Sequence, residues 1–134
     1  MDRVVIDTNV LLVSVSRKSP FHWIFQKLMD EEYALCVTTD ILLEYEEVIE
    51  REMGTRAGEA AMGVIENLNN VIELTTYYEF RLLADEDDNK FVDCAVAANA
   101  DYLVSEDNDF KPLKRVDFPK VQVIGIEAFQ TRLG

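Results

Sequence analysis

The chain alternates short, continuously apolar runs with longer amphipathic ones, and this pattern constrains the fold more than any other feature. Apolar runs rich in β-branched residues are typical of parallel strands that are covered on both faces. The amphipathic runs have the period of helices that cover such a sheet. We therefore predict an α/β fold with a central parallel sheet of about five strands, over residues 3–7, 34–38, 70–75, 102–105 and 121–126.

Four helices are predicted between these strands, over residues 20–31, 40–53, 56–69 and 88–100. Asp40 is predicted to cap the second of them. The acidic run over residues 85–88 is predicted to cap the fourth, with Asp88 as the capping residue whose loss would destabilise the helix.

The composition limits the kinds of functional site that the chain can form. The 134 residues carry 13 Lys and Arg against 26 Asp and Glu, a net charge of −13, and we expect a single domain over residues 1–134. Two cysteines, one histidine and five glycines are too few for a thiolate zinc site and form neither a phosphate-binding nor a dinucleotide-binding glycine loop. No stretch approaches the roughly 18 apolar residues that cross a bilayer, so the chain is expected to be cytoplasmic.

Several carboxylates are predicted to converge on one edge of the sheet. Asp7 ends the first strand and Asp107 follows the fourth, and the carboxyl ends of neighbouring parallel strands form one crevice. Glu44 lies at the edge of the apolar stripe of the second helix, opposite that crevice. Asp93 lies in an otherwise apolar helix, where a buried carboxylate needs compensation from Lys90 or from a metal ion.

Each acid also has a structural interpretation, because Asp7 can act as a helix cap and residues 105–109 can be a solvated turn. As a set, however, hard oxygen ligands without His or Cys suit one or two Mg²⁺ or Mn²⁺ ions, which support hydrolysis of a phosphodiester. Six basic residues lie in segments that lead away from the predicted crevice and are candidates for contacting the phosphates of a polyanionic substrate: Arg17, Lys18, Lys111, Lys114, Arg115 and Lys120.

Together these motifs resemble the PIN-domain ribonucleases, and most of all the VapC-like toxin components of prokaryotic toxin–antitoxin pairs. The resemblance covers essentially the whole chain. It rests on VVIDTNVL at residues 4–11, on Glu44, on DNKFVDCAVAA at 88–98 and on ADYLVSEDNDF at 100–110.

The resemblance implies a Rossmann-like sheet of about five parallel strands in the order 3-2-1-4-5, with helices on both faces. It implies cleavage of single-stranded RNA or tRNA that depends on Mg²⁺ or Mn²⁺ and leaves 5′-phosphate and 3′-hydroxyl ends. It also implies a homodimer and a cognate antitoxin. The matching acids are Asp7, Glu44, Asp93 and Asp107, with Asp109 competing for the fourth place, and the supporting polar positions are Asn9 and Ser105.

Two other hypotheses stay open at this stage. One is an RNA-processing PIN nuclease without an antitoxin. The other is a non-catalytic PIN-like or receiver-like module that binds a cation or a protein partner. Independently, Phe21, Trp23 and Phe25 exceed what one side of a helix buries, which predicts an interaction surface unless all three enter the core.

Overall fold

The computed structural model describes residues 1–134 and contains one five-stranded parallel sheet. The strands are β1 (Arg3–Ile6), β2 (Ala34–Val37), β3 (Val71–Glu73), β4 (Tyr102–Val104) and β5 (Val123–Ile124). Their order is β3-β2-β1-β4-β5, and every neighbouring pair is parallel. The predicted fold class and strand order are therefore confirmed.

Six α-helices and one 3₁₀ helix connect the strands and cover both faces of the sheet. None of them is long and apolar enough to cross a membrane. The elements are α1 (Thr8–Val15), α2 (His22–Met29), α3 (Thr39–Met53), α4 (Thr55–Asn67), α5 (Glu86–Ala97), the 3₁₀ helix (Asn108–Arg115) and α6 (Ile126–Leu133).

Three of these elements were absent from the sequence prediction. The first, α1, is apolar on nearly every side and follows β1 directly, so it has no amphipathic stripe to reveal it. The 3₁₀ helix contains Pro112, and the start of α6 was assigned to the last strand.

The predicted capping residues Asp40 and Asp88 were wrong, although the acidic run over residues 85–88 does supply the cap of α5. The Thr38 hydroxyl, and not Asp40, caps α3 by accepting from the Ile41 N–H. Asp85 caps α5, which begins two residues before the predicted Asp88. In both cases the helix starts earlier than its apolar stripe, and the cap precedes the first helical residue.

The core is one continuous cluster of 32 buried apolar residues between the sheet and its helices. Both cysteines are free and fully buried in it, as predicted. The buried Tyr45 hydroxyl donates to the Ile6 carbonyl oxygen at 2.5 Å, which ties α3 to the carboxyl end of β1. This bond fixes the helix that carries Glu44 against the strand that leads into Asp7.

Candidate metal centre

Asp7 lies at the carboxyl end of β1 and is only 5% exposed. Its Oδ1 accepts from the Val10 N–H at 2.9 Å, which caps α1, and its Oδ2 accepts from the Ser105 hydroxyl. Burial raises the pKa of Asp7 although both hydrogen bonds act in the opposite direction, and the nearby Asp107 adds to the rise. Asp7 is therefore both a helix cap and a buried carboxylate at the sheet edge.

The loop after β4 sends its side chains to different places. Ser105 donates to Asp7 and accepts from the Asp107 N–H at 3.0 Å, so one hydroxyl joins the two strand ends. Asp107 accepts from the Asp109 N–H at 2.9 Å and caps the 3₁₀ helix, and both aspartates are exposed. Glu106 accepts from the Ile126 N–H at 2.6 Å, which caps α6, and its charge also raises the pKa of Asp7.

Gly125 makes room for that last contact. A Cβ atom at this position would lie 2.9 Å from Oε1 of Glu106, closer than real Cβ contacts. Glycine therefore lets the Glu106 carboxylate reach the start of α6 and leaves Asp107 and Asp109 to face the crevice.

The first turn of α5 brings further acids to this crevice. Asp85, Asp88 and Asp109 each offer a carboxylate oxygen within 4.8 Å of the other two. Oδ2 of Asp88 is buried and has no hydrogen-bond partner. Burial, and then the charges of Asp85, Asp107, Asp109 and Asp7, raise the pKa of Asp88 to about 6. We define Asp7, Asp85, Asp88, Asp107 and Asp109 as the carboxylate cluster.

Glu44 lies next to this cluster with two partners of its own. It accepts from the Thr8 hydroxyl, one residue after Asp7, and forms an ion pair with Lys90 at 2.5 Å. Both members of the pair are largely buried, so the Lys90 ammonium compensates Glu44. The sequence predicts Lys90 or a metal ion as the partner of Asp93, whereas in the structure Lys90 pairs with Glu44.

Asp93 is buried on α5 but is not brought to the carboxylate cluster. Its Oδ1 accepts from the Phe80 N–H at 3.1 Å, and the only charge that acts on its raised pKa is that of Glu79. Five residues along an α-helix turn the side chain by about 140°, so Asp88 and Asp93 face different directions.

Asn89 completes the contacts that hold the segment before α5. Its side-chain amide accepts from the Leu83 N–H at 2.9 Å and donates to the Leu83 carbonyl oxygen at 3.0 Å. Together with Asp93 it binds residues 80–83 along α5. The contacts of Asp88, Asn89 and Lys90 were not predicted from the sequence. The helical angle between Asp88 and Asp93 was the signal that could have separated the two acids.

The remaining predicted residues are exposed. Asn9 is exposed and lines a groove together with Asp7 and Asp107. The basic residues Arg17, Lys18, Lys111, Lys114 and Arg115 are all exposed, the last three on the 3₁₀ helix that Asp107 caps.

The groove beside Asp7 is mainly apolar, with an acidic end. Of the three aromatic residues predicted as an interaction surface, Phe25 is in the core and Trp23 packs on Phe129, whereas Phe21 is exposed at the groove. We call this the apolar groove, and its lining includes Val10, Val13, Phe21, Trp23, Ile126, Glu106 and Glu127.

The donors of the carboxylate cluster fit a divalent cation. They are hard oxygen ligands, and the buried, unpartnered Oδ2 of Asp88 lies among like charges that a cation would compensate. Asp85, Asp88 and Asp109, whose carboxylate oxygens lie within 4.8 Å of one another, would hold the ion together with the neighbouring Asp7 and Asp107.

The chain matches a known protein family. A family model described as PIN domain matches residues 3–109, most of the chain. The chain belongs to the PIN domain family. The resemblance drawn from the sequence motifs is therefore confirmed. Among curated proteins, no match is found.

Solved structures of VapC toxins share the fold of this PIN domain. VapBC2 of Rickettsia felis, bound to a DNA fragment from its promoter, has a TM-score of 0.64 at 15% identity and covers 92% of this chain and 98% of its own. VapC20 of Mycobacterium tuberculosis, a toxin that cleaves the sarcin-ricin loop, has a TM-score of 0.61 at 16% identity over 81% and 92% of the two chains. DNA-bound VapBC of Salmonella typhimurium has a TM-score of 0.61 at 16% identity over 94% and 99%.

Proposed function

We propose that this PIN-domain protein is a metal-dependent endoribonuclease that hydrolyses phosphodiester bonds of single-stranded RNA or tRNA. One observation carries the proposal most directly. A buried carboxylate oxygen of Asp88 has no partner and lies among the charges of Asp85, Asp107, Asp109 and Asp7 at the carboxyl ends of β1 and β4. Membership of a family of nucleases supports it.

The chain supplies the framework of such a site. Asp7 is held rigidly by Val10 and Ser105, and Asp107 is tied to the same Ser105 hydroxyl. A bound Mg²⁺ or Mn²⁺ ion would lower the pKa of a water molecule and neutralise charge on the leaving oxygen, without a histidine base. Rigid ligands fix where the ion and the scissile phosphate lie, which is how positioning lowers the barrier.

The third acid of the site is a choice between two residues. The sequence resemblance proposes Asp93 together with Asp7, Glu44 and Asp107, whereas the carboxylate cluster favours Asp88. We propose Asp88 as a ligand, and Asp93 as a residue that holds the segment before α5. Glu44 contacts Lys90 and Thr8 and borders the cluster. We propose that its carboxylate belongs to the same site and lies at the edge of the cluster.

We further propose that the protein is the toxin of a toxin–antitoxin pair and acts in the cytoplasm. Two of the structures with this fold are VapBC complexes. The apolar groove offers Val10, Val13 and Phe21 next to the acidic side chains of Glu106 and Glu127. This surface suits an antitoxin segment that has an apolar face and a basic side chain directed at the acids.

Two alternatives differ from this proposal, one in lacking an antitoxin and the other in lacking RNA cleavage. An RNA-processing nuclease would cleave RNA without an antitoxin, and a non-catalytic module would bind a cation or a protein without cleaving RNA. The homodimer implied by the resemblance also stays a proposal. Sedimentation of the full chain as a 15.4 kDa monomer at micromolar concentration would contradict it.

The function is tested by Asp7→Asn. The amide keeps the shape of the side chain but lacks the charge that a hard cation requires, so cleavage of an RNA pool in Mn²⁺ should fall on the order of 100-fold or more. Glu59→Gln on α4, an exposed acid outside the site, is the matched control and should cleave like the wild type. Equal cleavage by the Asp7→Asn variant and the wild type would refute the proposed site.

A further inference from the structure

One segment has a charge opposite to that of the rest of the chain. Residues 111–120 carry four of the 13 basic residues and one acid, a net charge of +3, whereas the remaining residues carry −16. We call this segment the basic arm. Its four cations, all exposed, are Lys111, Lys114, Arg115 and Lys120.

None of these four cations has a carboxylate partner. The ion pairs of the protein involve Lys27, Arg51, Arg81 and Lys90. Nine of the 13 basic residues form no ion pair, and this segment is distinguished by holding four of those nine within ten residues. The basic arm therefore presents a positive surface that the protein itself does not neutralise.

The basic arm also carries an isolated aromatic ring. Phe118 is 88% exposed, the largest exposed fraction among the large apolar side chains. Phe110, directly before the arm, and Leu113 within it are buried and anchor its first half, so the ring is presented from a fixed base. A protein interface usually needs a larger apolar patch, whereas a nucleobase needs a single ring on which to stack.

The position of the basic arm links it to the carboxylate cluster. The arm begins inside the 3₁₀ helix, which Asp107 caps and whose first turn contains Asp109. The chain therefore leads from two proposed metal ligands directly into the positive surface. A single strand whose phosphate lies at the cluster can follow this path with its next nucleotides.

We propose that the basic arm binds the single-stranded RNA substrate beside the scissile phosphate, with its cations on phosphates and Phe118 stacked on a base. This inference rests on the proposed ribonuclease function and identifies the residues that hold the substrate. Phe118 contacts a base through its ring face and so confers little sequence preference. Lys114 and Arg115, in the last turn of the 3₁₀ helix, are the proposed phosphate contacts that the experiment tests.

Binding is measured with the cleavage-deficient Asp7→Asn protein as the reference and a fluorescently labelled 12-nucleotide oligouridine, by anisotropy over a range of salt concentrations. Adding Lys114→Ala and Arg115→Ala should weaken binding roughly 10- to 30-fold at 0.1 M salt and reduce the salt slope by about 1.4. Adding Phe118→Ala instead should weaken binding about fivefold or more and leave the salt slope unchanged.

Two matched controls accompany these variants in the same Asp7→Asn background. Arg51→Ala with Arg56→Ala removes the same amount of charge from α3 and α4, and Tyr77→Ala removes another exposed aromatic ring, 86% exposed, outside the basic arm. Both should bind the oligonucleotide like the reference. An oligonucleotide that lacks bases should bind the reference and the Phe118→Ala variant equally.

The basic-arm proposal is overturned by absence of oligonucleotide binding, by equal losses in the controls, or by a Phe118→Ala loss that persists without bases. It is also overturned if Phe118→Ala abolishes self-association and leaves RNA binding intact, since the ring would then belong to an interface between copies of the chain. The two proposals fail separately. RNA binding through the arm without cleavage by the wild type in Mn²⁺ would refute the nuclease function, whereas cleavage with unchanged binding by the arm variants would refute the arm.

Discussion

Asp88 and Asp93 lie on different turns of α5 and have different surroundings. In the first turn of α5, Asp88 has a buried oxygen without a partner among four other carboxylates. A turn and a half later, Asp93 is buried but accepts from the Phe80 N–H. Burial raises the pKa of both residues, so burial alone does not separate a structural acid from a functional one.

The difference lies in how each charge is compensated. The Phe80 N–H partly offsets the burial of Asp93, and the nearby Asn89 holds the same segment through Leu83. Asp88 has mainly like charges as neighbours, an arrangement that needs a cation. A buried acid with a backbone donor is expected to stabilise the fold, whereas one that faces other acids is expected to bind metal.

The largest expected effect is on RNA cleavage. Asp88→Asn should lower cleavage in Mn²⁺ on the order of 100-fold, because the neutral amide no longer contributes charge to the cation site. Asp93→Asn keeps an oxygen that accepts from Phe80 and should cleave within about threefold of the wild type. Rates for the two purified variants on the same RNA give the comparison, and the reverse order would support the assignment drawn from the family motif.

A smaller effect is expected on metal-dependent stability. A metal that binds only the folded protein raises the free energy of unfolding by about 2.7 kcal/mol at 100 times its Kd. Asp88→Asn should remove most of the rise in Tm that Mn²⁺ causes, and Asp93→Asn should retain it. Thermal melts with and without Mn²⁺ measure this, and an unchanged rise in the Asp88→Asn variant would exclude Asp88 as a ligand.

The smallest expected effect concerns the pH dependence of the metal-free protein. The pKa of Asp88 is raised to about 6, above its unfolded value, so ionised Asp88 destabilises the fold above pH 6. As the pH falls from about 6 to 4 the folded state takes up the proton first, and this destabilisation is relieved. Asp88→Asn should therefore be more stable than the wild type at pH 7.5, and the difference should shrink toward pH 4. Urea unfolding with EDTA at both pH values tests this, and a constant difference would contradict it.

The sequence predicted those parts of the molecule that local pattern determines. Continuous apolar runs located all five strands, and Asp7 and Asp107 lie at the strand ends where the parallel arrangement puts them. The 3.6-residue helical period also indicates that the side chains of Asp88 and Asp93 point in different directions. The family motif nevertheless predicted Asp93 as the metal ligand.

Other features depended on contacts that no local pattern encodes. Lys90 pairs with Glu44, 46 residues away in sequence, and Phe80 supplies the donor for Asp93 from a segment without regular structure. The start of α1 was not predicted because no turn separates it from β1: Asp7 follows the strand directly and is also the cap of the helix. These features follow from three-dimensional packing, so they became visible only with the fold.

The hydrogen bond between Ser105 and Asp7 joins residues 98 positions apart. Closing so long a loop costs entropy that only the pairing of β1 with β4 and the surrounding core can repay. The carboxylate cluster therefore has no local precursor, and a fragment that ends before β4 cannot assemble it. The carboxylate cluster and the global fold are expected to form in one cooperative step during refolding, and a nascent chain should lack the cluster until Asp109 has been synthesised.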